Sequence, residues 1–259
     1  MESSVRDRPS AGGEFVQSLA RGLDVIRAFD ADRPAMTLSE VADVTGLSRA
    51  AARRFLLTLV ELGFVRYDGK HFALTPRVLR LGTAYLSGLQ LPEIARPHLE
   101  ALSAQVGEST SLGVLDGTDV VYVARVASRS IMNVAITVGT RFPAHATSMG
   151  RVLLAGLSAR ELDDWFAGAE LTAVTQHTPT DEGALRRLLD AAAEQGWAAN
   201  DQELAPGLRS IAAPVRDRSG HVVAAVNVSS TVLHDPQAEY LESLLGTADA
   251  VSADLGHSG

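Results

Sequence analysis

The stretch with the most chemical potential runs from Ser48 to Arg54. It places Arg49, Arg53 and Arg54 around the small Ala50. On a helix, positions 49/53 and 50/54 are four apart, so they form two adjacent rows on one surface. Guanidinium groups bind phosphate oxygens and the acceptor edge of guanine, and an alanine between them lets a backbone approach closely. A second cationic spot follows at Lys70 and His71, and Lys70 is the only lysine in the chain. A solvated helix face and a solvated turn would carry the same residue types, so the surrounding elements have to decide.

Those elements fit a DNA reader. Leu19, Leu23, Ile26 and Phe29 step by four, three and three, which lines one face of a first helix. A polar break with Pro34 follows. Thr37 with Glu40 three residues on is a capping box for a second helix, whose inner face is Leu38, Val41 and Ala42. Gly46 ends it, and Ser48 caps a third helix with Ala52, Phe55, Leu56, Leu59 and Leu62 inward. Then Phe64 to Tyr67 meets Lys70 to Leu74 across Asp68-Gly69, a hairpin signal of the type I′ kind. Helix, helix, turn, helix and hairpin is the layout of a winged helix-turn-helix, whose second paired helix enters the major groove N-terminus first. The candidate DNA contacts are therefore Thr37, Ser48, Arg49, Ala50, Arg53, Arg54, Lys70 and His71.

Charge is distributed to match. The net charge is −8 over 259 residues, which taken whole disfavours a polyanionic partner. Residues 45–80, however, hold seven basic residues against two acidic ones, and 91–259 hold eleven against twenty-one. A small basic module joined to a larger acidic domain is the expected organisation. With no cysteine, disulfides, thiolate metal sites and cysteine nucleophiles are excluded. No apolar run reaches the ~18 residues of a membrane span, and residues 1–13 lack an apolar signal core. The expected location is the cytoplasm, with residues 1–14 as a disordered leader.

Thr75-Pro76 opens a linker helix to about residue 90, apolar on more than one side, which a second subunit would cover. Pro92 and Pro97 mark its exit. Beyond it, strands are expected around Thr110–Val114, Val120–Val123, Ile131–Val138, Ser210–Arg216 and His221–Ser230, with helices at Met149–Leu157, Ala159–Phe166, Asp181–Gln195 and Pro236–Leu255. Hairpins mixed with helices predict an α+β fold on an antiparallel sheet. The divisions are 1–14, 15–75, 76–90 and 91–256. There is no G-x-G-x-x-G, no P-loop, no H-E-x-x-H and no G-x-S-x-G, and the seven histidines form no helical ligand pair. His145 reads as a satisfied structural group. No catalytic residue, metal or cofactor is expected.

The chain resembles the IclR family of bacterial transcription regulators from Phe15 to about Leu255. The matching stretches are QSLARGLDVIRAF, TLSEVADVTGLSRAAARRFLLTLVELGFV, LTPRVLRLG, VGESTSLGVLDGTDVVYVARV, HATSMGRVLLAGLS and ANDQELAPGLRSIAAPVRDRSGHVVAAVNVSS. The stretch IMNVAITVGTRFPAHATSMGRVLLA further resembles the PcaR/PcaU/PobR group, which controls aromatic-acid catabolism through protocatechuate and the β-ketoadipate pathway. The resemblance implies an N-terminal winged helix-turn-helix, a C-terminal GAF/PAS-like α/β effector-binding domain, and a homodimer or dimer of dimers on a double-stranded operator. It carries the effector positions to Ser148 and Met149 in a loop entering a helix, Asp201 on a strand edge, Ser210, and Asn227 and Ser229 on the last strand. Where small-acid sensors of the family have serine this chain has Asn227, and where they have Gly-Ala it has Ser148-Met149, which argues against a two-carbon acid.

Independent physics supports a small organic acid there. A helix beginning near Ser148 offers unpaired N–H groups and its positive end, hydroxyls and amides orient an oxygen-rich ligand, and Met149 and Leu112 supply apolar walls. Arg125, Arg141 and Arg209 are the possible carboxylate partners. The rival readings are a relative sensing a non-aromatic acid, an enzyme with a DNA-targeting domain, and a winged helix that contacts protein.

Overall fold

A computed structural model describes residues 15–30, 32–81, 91–128 and 136–258. The chain divides into two compact units, with the break between Gly88 and Leu89. The leader and most of the linker, residues 82–90, lie outside the described residues, as does most of the strand expected at Ile131–Val138.

In the first unit, helix α1 spans Gln17–Arg27, α2 Leu38–Thr45 and α3 Arg49–Glu61, followed by strands β1 Val65–Tyr67 and β2 Phe72–Leu74. The Thr37 capping box forms as its residue types require. The Thr37 hydroxyl accepts from the Glu40 amide, and the Glu40 carboxylate accepts from the Thr37 amide at 2.6 Å. Thr37→Ala should lower the unit's unfolding free energy in urea by about 1 kcal/mol, the usual worth of such a cap. Gly46 closes α2 at φ +65°, left-handed backbone that favours glycine.

The inward face of α1 differs from the expected one. Val25, Ala28 and Phe29 are buried, with Leu56, Met36 and Phe72 among their core partners, whereas Leu19 is 64% and Leu23 48% exposed. The periodic apolar stripe is wider than one contact surface, and only its C-terminal half meets the core. Leu62 is likewise exposed. The hairpin turn sits one residue later than expected. Tyr67 pairs with Phe72, and Gly69-Lys70 form the tip. The cause is Asp68, whose carboxylate accepts the amides of Lys70 and His71 at 2.9 and 2.7 Å, an arrangement typical of aspartate in turns. Those amides hold the Asp68 carboxyl below its ordinary range. Thr75 caps a single 3-10 turn, Pro76–Val78, at the start of the linker.

The second unit opens with α4, Leu91–Val106, and Pro92 and Pro97 lie inside it instead of ending a helix. Proline near a helix start removes an amide that needs little pairing, and burial of Leu91, Ala95, Leu99 and Leu102 offsets the bond lost at Pro97. There follow β3 Ser109–Asp116, β4 Asp119–Val126, β5 Arg141–Pro143, α5 Ser148–Ala155, α6 Ala159–Gly168, α7 Glu182–Gln195, β6 Ala198–Asp201, β7 Leu208–Arg216, β8 Val222–Thr231 and α8 Pro236–Asp254. Residues 136–138 are not strand; the partner of β4 is β5. The six strands form one antiparallel sheet in the order β5-β4-β3-β8-β7-β6. Helices α4 and α8 cover one face and α5 covers the other, with α7 packed against α5. The fold is α+β, as the hairpin pattern implies.

Candidate functional site

Two sites follow, one in each unit. On α3, the Ser48 hydroxyl accepts from the Ala51 amide at 3.2 Å and aims the first turn outward. Arg49, Ala50, Arg53 and Arg54 are all exposed. No side chain or carbonyl among the described residues pairs with the three guanidinium groups. Two other arginines of the unit are occupied: Arg33 pairs with Asp30, and Arg77 donates to the Leu62 carbonyl at 2.6 Å. The helix thus presents uncompensated positive charge. Lys70 is exposed at the hairpin tip, while His71 is half-buried with Nδ1 3.7 Å from Asp68. Thr37 is half-buried, and its hydroxyl donates to Glu40 at 2.8 Å. It caps α2 and is the least free of the expected contacts.

In the second unit, strand register decides which side chains meet, because residues paired across a ladder share a face. Ser109, Ser229, Ser210 and Asn200 form one row across β3, β8, β7 and β6. Arg125, Ser111 and Asn227 form the next row across β4, β3 and β8. Both rows face α5. Ser148 Oγ lies 2.9 Å from Ser210 Oγ, and the Asn227 amide donates to Ser229 Oγ at 2.8 Å. Asn227 Oδ1 is buried with no partner among the described residues. An unpaired buried acceptor of this kind costs stability until something donates to it.

Three expectations change here. Ser148 and Met149 belong to the first turn of α5 and not to a loop before it; Thr147 is the cap, its hydroxyl accepting from the Gly150 amide at 2.9 Å. Met149 is fully buried against Gly113, where a Cβ would stand 2.9 Å from its sulfur. Leu112 faces the other way, toward α4, since it shares a face with Val226 and not with its neighbour Asn227. Tyr122, opposite Gly113, takes its place as an apolar wall. Asp201 pairs with Arg209, one step out of phase with Ser210, so it points away from the serine row. Arg209 grips its carboxylate at 2.9 and 3.2 Å and holds it below the usual carboxylate range. The missed residues are Asn200, Ser109, Ser111 and Tyr122. The signal for Asn200 is the two-residue period of a strand: only one of Asn200 and Asp201 can join Ser210. A shallow cleft of about 250 Å³ runs past the outer ends of β6 and β7, lined by Asn200, Asp201, Arg209, Ser210 and Asp235.

The three candidate arginines separate cleanly. Arg141 is tied to Asp116 at 2.5 Å and Asp119 at 3.1 Å, and Arg209 to Asp201. Arg125 has no carboxylate within ion-pair distance among the described residues. It touches only hydroxyls, Ser111 at 3.4 Å and Ser109 at 3.3 Å. Arg151, buried on α5, pairs with Glu203 and donates to the Ala199 carbonyl at 2.5 Å. This clamps α5 to β6 and to the loop after it. His145 is buried with Nε2 2.9 Å from the Thr172 carbonyl, a structural role. No group of three or more metal-ligating side chains occurs among the described residues.

Comparison with known proteins bears on both units. The IclR helix-turn-helix domain family matches residues 18–69, and the bacterial transcriptional regulator IclR C-terminal family matches residues 83–253. The Pca regulon regulatory protein of Pseudomonas putida is 42% identical over 245 residues, spanning 94% of this chain and 84% of that protein. A protein of Rhodococcus sp. RHA1 with a known crystal structure superposes with a TM-score of 0.81 at 53% identity, covering 93% and 99% of the two chains. An IclR homologue from Microbacterium hydrocarbonoxydans, solved in complex with 4-hydroxybenzoate, gives a TM-score of 0.81 at 29% identity, covering 93% and 100%.

Proposed function

The chain belongs to the IclR family of bacterial transcriptional regulators, and from that premise we propose how its two sites work together. It is a DNA-binding regulator and not an enzyme. The unpaired Arg49, Arg53 and Arg54, aided by Ala50, Ser48 and Lys70, read the operator. The polar sheet face formed by Ser148, Met149, Ser210, Asn227 and Ser229 takes an aromatic acid of the protocatechuate type or a β-ketoadipate-pathway intermediate. The carrying observation is that polar face: hydroxyls and an amide side by side on one side of the sheet, flanked by the apolar Met149 and Tyr122, in a chain similar to a Pca regulator and to a homologue holding 4-hydroxybenzoate. A ring with oxygen substituents needs that mixture.

The working unit is a dimer. Phe15, Val16, Leu19 and Leu23 leave an apolar surface on the first unit that a second copy would bury. Two α3 helices would then meet two half-sites about one helical turn, or a multiple of it, apart. Replacing Leu19 and Leu23 with glutamate should move sedimentation toward the monomer and weaken DNA binding with it. No described helix is long and apolar enough to cross a membrane, and a DNA-bound regulator acts in the cytoplasm.

The deciding measurement uses operator duplex selected from random sequence. Saturating 4-hydroxybenzoate or protocatechuate should shift the binding curve or change the footprint, because a ligand acts only through unequal affinity for the two arrangements. Curves that superimpose for both acids remove the aromatic assignment. A shift with a non-aromatic acid instead would support the rival ligand class.

A further inference from the structure

We propose that Arg125 is the anchor for the effector's carboxylate, which makes the second unit a sensor of ring-bearing anions and not of their neutral counterparts. This assignment rests on the reading of that polar face as an aromatic-acid site and adds which residue reads the charge.

The argument starts from what a half-buried guanidinium needs. Charges removed from water are normally paired or returned to solvent. Arg33, Arg141, Arg151, Arg186 and Arg209 each have a carboxylate partner in this protein. Arg125 has none among the described residues, although it is half-buried between two hydroxyls. Burial pushes its guanidinium below the ordinary value, while carboxylate neighbours push Arg141 and Arg209 up. Tyr122 cannot balance the charge, since burial drives its hydroxyl up to about 12 and it stays neutral.

Position supplies the second half. Arg125 shares a face and a row with Ser111 and Asn227, across adjacent strands β4, β3 and β8. With two strand spacings between them, the Arg125 and Asn227 backbones are about 10 Å apart. Asn227, whose Oδ1 has no partner among the described residues, therefore lies on the same sheet face as the cation that lacks a carboxylate. Ser109 and Ser111 brace the guanidinium from below, leaving its remaining N–H groups for a planar two-oxygen acceptor. A carboxylate on a ring fits both the charge and the fork.

The test is calorimetric titration of the full chain with 4-hydroxybenzoate and 4-hydroxybenzamide, which share ring and hydroxyl and differ in charge. The unaltered chain should prefer the acid by about 10- to 100-fold, the worth of one charge-assisted contact. Arg125→Gln should lose that preference by weakening the acid while the amide stays within about threefold, and Arg125→Lys should keep part of it. Equal affinity of the unaltered chain for acid and amide overturns the anchor without any variant, so a misfolded Arg125→Gln does not leave the matter open. Undiminished acid binding by a folded Arg125→Gln overturns it too, while leaving the aromatic-sensor reading in place. No binding of either compound to the unaltered chain removes that reading, and the anchor with it.

Discussion

Replacing Arg49 and Arg53 together with alanine should weaken operator binding about 100-fold or more, with each lost contact contributing about 1–3 kcal/mol. Ligand binding by the same variant should match that of the unaltered chain, because both side chains are exposed and form no hydrogen bond or ion pair among the described residues. Alanine is a better helix former than arginine, so α3 stays intact and the loss is not an unfolding artefact. Salt resolves what each arginine grips. An arginine on phosphate releases counterions, and its removal should lower the slope of log affinity against log salt by about 0.9. An arginine on guanine leaves the slope nearer its starting value and relaxes selectivity at one base pair. Equal loss of DNA and ligand binding would show that the arginines act through folding. Mobility shifts at three or four salt concentrations, with one titration of 4-hydroxybenzoate, cover all these outcomes.

The second large effect concerns the clamp between Arg151 and Glu203. Both side chains are largely buried, at 5% and 13% exposure. Burial raises the Glu203 pKa above its ordinary value even though Arg151 pulls the other way. Desolvation therefore outweighs attraction at the carboxylate, and the pair is not a strong net source of stability. Breaking it on one side is another matter. Glu203→Leu leaves a buried cation, Arg151→Met leaves a buried anion, and each should cost about 3–5 kcal/mol. At roughly 2–4 °C per kcal/mol for a unit of this size, melting should fall by about 6–20 °C. The double variant should recover much of that loss, giving a large coupling in a double-mutant cycle. Additive losses would mean that the two charges do not depend on each other. Calorimetric melting of the four chains decides it.

The helix-turn-helix was legible because its signals are local. The Thr37 box, Gly46 and the Ser48 cap all act within one or two turns of where they stand, and each behaves as its type dictates. The errors arise where a local pattern has two tertiary outcomes. The apolar stripe of α1 reads as core from Leu19 onward, yet the core ends near Val25. Asp68-Gly69 reads as a tight turn, yet the aspartate side chain competes for the amides and moves the tip. Pro97 reads as a breaker, yet packing keeps its helix. In the sheet the obstacle is phase. A strand side chain changes face with every step, so Leu112 and Asp201 are each one residue away from the positions that meet the serines. Nothing within either strand fixes that phase; the pairings with β8 and β7 do. Arg125 was one of three equal candidates in the sequence, because only distance to a carboxylate tells an occupied arginine from a free one.

The hairpin tip has a practical corollary. Twenty-two of the twenty-three basic side chains are arginines, and the single ε-amine, on Lys70, projects into solvent where the wing would pass the duplex. Apart from the α-amino group, an amine-directed dye has one target. Emission from that dye would report wing engagement in real time, and acetylation there would erase the wing's only primary-amine charge without touching the guanidinium rows.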